Sequence, residues 1–275
     1  MRQSSAQGAK KAAGLLSGHR LTGLLSVTVI VLVVISGVLF KVVSSTTTSC
    51  STLFVPAFFY PGPQWTEAVD GKQVPRVLIL DLTDTGAGAA PEPAFQSVVK
   101  IAKAAGITVL GYSSTQYANR PAAQVEADVR HYKAWYGVSG VFLDEASPYA
   151  AQIAYYRQIA QYIHKISPTA PIWINPGTYP ARIYMTVASV VMAFEGPYTS
   201  YEHIQVPGWT FKYPASRFAN TVYATSQSQW RTALRLAHSR NAGFAYITDG
   251  TGSNPYGALP AYFQSETLAD AGCKG

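Results

Sequence analysis

GVFLDEAS (140–147) is an apolar run that stops at two adjacent carboxylates, Asp144 and Glu145, and then turns through small residues. Val141, Phe142 and Leu143 suit a buried extended strand. Successive side chains of a strand point to opposite faces, so the alternation predicts that the two acids diverge and that one of them faces any given site. The fold depends on whether this strand-then-turn pattern recurs.

It recurs eight times. FVPAFFY (54–60), RVLILDLT (76–83), TVLGYSS (108–114), GVFLDE (140–145), PIWINPG (171–177), SVVMAFEG (189–196), FANTVYAT (218–225) and AGFAYITDG (242–250) are all rich in Val, Ile, Phe or Tyr. Each ends in a polar or glycine-containing turn, as buried parallel strands do. Between them, 91–106, 121–137, 148–168 and 226–243 space their apolar residues helically, with proline near the start or glycine or proline at the stop. The first, fifth and sixth connections carry weaker helical patterns. Eight strands alternating with helices predict an α/β fold, a (β/α)8 barrel. GAGAAP (86–91) superficially resembles a dinucleotide loop, but it lacks the third glycine and runs into Pro91 and Pro93.

The formal net charge of +7 is unevenly spread. Arg2, Lys10, Lys11, Arg20 and Lys41 precede residue 44 with no acid among them, leaving 16 basic and 14 acidic residues for the remainder. Nucleic acid is therefore not an expected partner of the main domain. LTGLLSVTVIVLVVISGVLF (21–40) has 20 residues without a charge, enough for a membrane-spanning helix. The preceding basic residues predict a cytoplasmic tail (1–20), a signal anchor (21–43), a short stalk (44–52) and an extracellular domain (53–275). A cleaved signal peptide, giving a secreted protein, is the competing reading. Cys50 and Cys273, at the two ends of the exported part, are expected to pair as a disulfide in an oxidising compartment.

In a (β/α)8 barrel the strand C-termini and the loops after them form the functional face. Asp81, Asp84, Asp144, Glu145, Asn175, Glu195 and Asp249 all fall there. Two carboxylates across a cleft are what glycosidic cleavage requires, and Asp144 and Glu195 end the fourth and sixth strands. Tyr60, Trp65, Tyr112, Tyr117, Trp173, Tyr179, Tyr198, Tyr201, Trp209 and Tyr256 lie in or beside the strand ends and upper loops, where flat rings suit sugar faces. Among these and the rim polar groups, Tyr60, Asp81, Tyr112, Asn175, Tyr198, Trp209, Asp249 and Tyr256 are the expected substrate contacts. The five histidines show no zinc-like spacing, GYSST (111–115) lacks the second glycine of a nucleophile elbow, and no cofactor is expected.

VPAFFYPGPQW, GYSSTQYANRP, GVFLDEAS, INPGTYP, VMAFEGPY and ITDGTGSNPYGALPAYF occur in an order that resembles the spherulin-4 (spherulation-specific family 4) proteins, grouped as glycoside hydrolase family 135. The resemblance covers nearly the whole exported domain, although DLTDTGAG replaces the family's asparagine-rich segment after the second strand. It implies an endo-acting hydrolase of α-1,4-linked galactosamine-containing exopolysaccharide, such as the galactosaminogalactan of microbial biofilms, and the domain is expected to be a monomer. Its essential acids match Asp144, Glu145 and Glu195. Asp144 is then expected as nucleophile or electrostatic stabiliser, Glu195 as general acid/base, and Glu145 as a flanking contact or a tuner of Asp144. Attack by a substrate 2-acetamido group, oriented by Asp144 or Glu145, stays open. So do a hydrolase for another cell-wall glycan and a non-catalytic, polysaccharide-holding surface protein.

Overall fold

The computed structural model describes residues 51–70 and 73–271. The expected anchor, the stalk up to residue 50 and both cysteines of the expected disulfide lie outside them.

Eight parallel strands close into a barrel in sequence order, the last pairing with the first. They are β1 (Thr52–Ala57), β2 (Val77–Leu80), β3 (Thr108–Ser114), β4 (Gly140–Asp144), β5 (Ile172–Ile174), β6 (Val190–Pro197), β7 (Phe218–Tyr223) and β8 (Phe244–Ile247). Helices α1 (Pro63–Asp70), α2 (Pro93–Ala104), α3 (Ala122–His131), α4 (Ile153–Ile166), α5 (Tyr198–Tyr201), α6 (Trp230–Ser239) and α7 (Phe263–Ala271) complete the (β/α)8 fold. The connections with weak helical patterns have short elements: eight residues in α1, a five-residue 3-10 turn at Arg182–Thr186, and four residues in α5. Helix α4 shows why the outer layer forms. Tyr156, Ile159, Ala160 and Ile163 recur on one stripe and are buried against the strands.

Inside the barrel, aromatic rings join branched aliphatics such as Ile79 and Leu110. Trp173 meets Phe54 edge-on at 5.3 Å and Phe244 at 4.8 Å, and Phe54 lies 6.3 Å from Tyr246. These rings plug the barrel below the functional face, so the mouth above rests on a packed floor. Glycine supplies a further close fit. A Cβ on Gly111 of β3 would lie 2.4 Å from the Tyr132 ring, which packs directly on that backbone.

Strand β6 departs from regular alternation. Its register against β7 shifts between Met192 and Phe194, leaving Ala193 as an extra residue. Val191 and Ala193 join the outer cluster under α4, and Phe194 packs with Tyr201 and Trp230. Met192 and Glu195 both face the barrel mouth. Without the bulge, Glu195 would carry the outward parity of Val191 and Ala193.

Trp173→Ala is expected to lower unfolding stability by about 3–5 kcal/mol. Urea denaturation should show an earlier midpoint with an unchanged slope.

Candidate active site

Strand register decides which side chains meet above the aromatic floor. Ser114 pairs with Asp144 and Tyr112 with Phe142 across β3 and β4, while Phe142 pairs with Trp173 across β4 and β5. Following these inward positions upward leads to Asp81, Tyr112, Ser114, Asp144 and Asn175 on neighbouring strand ends, with Glu195 delivered by the bulge. Asp81, Asp84, Tyr112, Asp144, Glu145, Glu195 and Tyr256 line a cleft of about 440 Å³. A second recess of about 240 Å³ shares Asp144, Glu145 and Glu195 with the first and is completed by Tyr117, Asn175, Pro176 and Gly177.

Asn175 organises the centre. Its Oδ1 accepts the Gly177 N–H at 2.9 Å, which turns its Nδ2 toward the acids. That one nitrogen donates to Asp144 Oδ1 at 2.6 Å and also to Glu195 Oε2. Tyr256 donates its hydroxyl to the other Glu195 oxygen at 2.7 Å. Tyr112 and the Glu145 backbone N–H flank the Asp144 carboxylate and favour its charged form, while the Tyr112 hydroxyl donates to the Asp84 carbonyl at 3.5 Å. Phe58 joins these tyrosines into a collar, meeting Tyr112 at 5.4 Å and Tyr256 at 5.6 Å, both edge-on.

Burial, and next the charge of Glu195, push the Asp144 carboxyl up to about 7. Asp81 is also pushed up to about 7, chiefly by burial and then by Asp84. Asp81 Oδ1 is buried without a hydrogen-bond partner among the described residues. The cleft therefore concentrates carboxyl groups whose charged forms water stabilises poorly.

Asp144 and Glu145 do not diverge. The strand ends at Asp144, and Glu145 turns into the left-handed region at φ 47°, bringing its side chain back to the cleft that Asp144 lines. This strained turn is clamped from the β3 side. The Thr115 N–H donates to the Asp144 carbonyl at 2.9 Å, and the Thr115 hydroxyl lies 2.8 Å from the Glu145 carbonyl. The Tyr156 hydroxyl sits 3.1 Å from Thr115 Oγ1 and accepts the Ser147 N–H at 2.7 Å. Ser114 donates its hydroxyl to the Glu145 carboxylate. After burial, the charge that raises Asp144 most is that of Glu195, two strands away.

This arrangement of strand-end acids is accompanied by a chain-wide match. The profile of spherulation-specific family 4 matches residues 52–269. The chain belongs to that family. Spherulin-4 of Physarum polycephalum is 28% identical over 240 residues, covering 82% of this chain and 72% of the relative. Among solved structures, Sph3 of Aspergillus clavatus, in complex with GalNAc, matches at TM-score 0.71 and 23% identity, over 82% of this chain and 99% of that one. A Chromobacterium violaceum chitinase matches at TM-score 0.51 and 10% identity, over 80% and 99% of the two chains. At these identities the structural matches attest the barrel.

In this family member the structure brings together Asp81, Tyr112, Asp144, Glu145, Asn175, Glu195 and Tyr256. It does not bring Tyr60, Tyr198, Trp209 or Asp249 to the cleft. Tyr60 stands outside against Phe95, 5.4 Å away, with its hydroxyl toward Glu92. Tyr198 is buried in the cluster around Trp230, and Trp209 packs on Tyr213 and Phe218. Asp249 is exposed and accepts the Ala261 N–H at 3.3 Å, in the turn leading to α7. Among the other expected rim aromatics, Trp65, Trp173 and Tyr201 are core residues. Phe58, Tyr223 and the loop 252–255 also line the cleft, and Ser114 holds Glu145 there, although no strand-end pattern in the sequence singles them out. That loop's sequence signal was Gly250, where a Cβ would strike the Pro255 carbonyl at 1.9 Å and block the fold-back that seats Tyr256.

The raised carboxyl groups set a stability prediction. Their folded values near 7 exceed the unfolded value of 3.8, so the stability they contribute is complete in acid and is lost as pH rises toward and through 7. Asp144→Asn and Asp81→Asn should each raise Tm by a few degrees at pH 8, with the gain shrinking toward pH 4 in calorimetric scans. A gain that is the same at both pH values would contradict this origin.

Proposed function

We propose that this protein is a retaining, endo-acting glycoside hydrolase for α-1,4-linked polysaccharide containing galactosamine and N-acetylgalactosamine. The observation that carries the reading is the Asn175 amide shared by Asp144 and Glu195. Two hydrogen bonds from one nitrogen hold the facing oxygens about 4 to 5 Å apart. Oxygens that near each other favour direct attack by one acid over a water held between the two. Family membership and the GalNAc bound by Sph3 support the choice of amino sugar.

The environments support distinct roles. Asp144, partly buried like Glu195, is held by Asn175 and flanked by Tyr112 and the Glu145 N–H, a setting that suits attack on the anomeric carbon. Glu195 lines both recesses with one oxygen on Tyr256, and from there it can exchange a proton with water between donating to the leaving oxygen and activating the hydrolytic water. Glu145, at the edge of both recesses, is placed to contact a sugar hydroxyl or amide. The carboxylates of the cleft also attract a partly deacetylated, cationic polymer. Anchoring through residues 21–43 would confine the activity to polymer at the cell's own outer surface.

Incubation of the purified protein with galactosaminogalactan should release reducing ends, and Asp144→Asn and Glu195→Gln should each lower kcat by about 100- to 10,000-fold. Binding without product from the unmutated protein would instead make it a polysaccharide-holding protein. Proton NMR of the first product should show the anomeric configuration of the substrate. Because hydrolysis needs one proton on the pair, kcat/KM should fall as pH rises above about 7.

A further inference from the structure

Tyr117 is a large aromatic left out of every hydrophobic cluster, with 57% of its surface exposed. Its exposure is not slackness. Gln116, Tyr117 and Ala118 have φ values of 47°, 55° and 73°, three consecutive non-glycine residues in the left-handed region. L-residues resist that conformation, so it persists only where surrounding bonds impose it. The Tyr117 N–H donates to the Glu145 carbonyl at 2.6 Å, and the Arg120 N–H donates to the Thr115 carbonyl at 3.2 Å. The Arg120 guanidinium closes the loop from below. It donates to the carbonyls of Ser114 at 2.9 Å and Thr85 at 2.8 Å and pairs with Asp128 at 2.8 Å.

The result of this clamping is a ring held at the smaller, 240 Å³ recess beside Asn175, Gly177 and the three acids. Tyr117 is the one aromatic among the described residues lining it. The larger recess has its own collar of Phe58, Tyr112 and Tyr256. Asp144, Glu145 and Glu195 line both recesses, so the two meet at the acids. Burial, and then the charges of Glu145, Asp144 and Glu195, push the Tyr117 hydroxyl up, so it keeps its proton. A polymer cut at these shared acids has a sugar on either side of the scissile bond, and without Tyr117 only the larger recess offers a flat ring.

We infer that Tyr117 is a substrate-positioning residue whose ring is the stacking platform for the sugar in the smaller recess, next across the scissile bond from the sugar in the larger one. The inference rests on the polysaccharide reading above. It also accounts for the strain: a loop free to relax would let the ring swing out of register with the carboxylates.

Calorimetric titration of the full-length protein carrying Asp144→Asn, which blocks turnover, tests this with GalNAc and with an α-1,4-linked N-acetylgalactosamine tetrasaccharide. Adding Tyr117→Ala should weaken tetrasaccharide binding about tenfold and leave GalNAc binding unchanged, whereas Tyr117→Phe should stay within about twofold. In the otherwise unmutated enzyme, Tyr117→Ala should lower kcat/KM by a similar factor, mainly through KM. Tyr117→Gly should bind as weakly as Tyr117→Ala while its Tm is unchanged or higher, because glycine removes the strain. Equal tetrasaccharide affinity with and without the ring would overturn the proposal. So would an equal loss for GalNAc, a fall in Tm for Tyr117→Gly, or no tetrasaccharide binding by the parent protein. Tight binding by an unmutated protein that cuts nothing would sink the hydrolase reading alone, and the Tyr117 comparison would still decide this one.

Discussion

Two carboxylates facing one another where water is scarce set the terms for everything around them. At about 4 Å, two unit charges repel by about 4 kcal/mol in the effective dielectric of a protein interior. Asp144 and Glu195 are kept at such a distance by a single amide, and the pair relieves the repulsion by retaining a proton into the neutral range. Asn175 cannot do this alone. It needs Gly177 to fix which way the amide points, Tyr256 to satisfy the far side of Glu195, and Tyr112 to favour the charged form of Asp144. Each of these comes from a different strand end or loop, so the pair exists only when the whole barrel is closed.

The fold is stiff where that pair must be held. Beneath it, Phe54, Trp173, Phe244 and Tyr246 fill the barrel with rings that leave the strands little freedom to shift. Beside it, the left-handed turns at Glu145 and at Gln116–Ala118 are tied to one another through backbone hydrogen bonds. Conformational strain and unpaired buried charge both work against stability, and both collect at this mouth. The stability that offsets them comes from the apolar strands and the helices packed outside.

Much of this was legible in the chain. The eight apolar runs and their spacing predict the barrel, and the rule that strand C-termini carry function singles out Asp81, Asp144, Asn175 and Glu195. Tyr112 and Tyr256 were readable as rim aromatics for the same reason. Tyr60, Tyr198 and Trp209 met the same criterion yet pack elsewhere, because proximity to a strand end in sequence does not say which way a loop folds back. Tertiary bonds decide that. The placement of Glu145 was misread because alternation holds only within the strand, and the strand stops one residue earlier. What ends it is a set of bonds from Thr115, Tyr117 and Tyr156, which no local pattern announces.

The extra residue in β6 makes the position of Glu195 a matter of parity. Any side chain can be exchanged between Met192 and Glu195 without altering that parity, but a change in the number of residues there inverts it. Comparisons that score only whether a glutamate is present would pass a chain that had lost one residue from this stretch, although its glutamate would face the helices. In this protein the spacing before the acid is itself a heritable determinant of the site, separate from the identity of any residue in it.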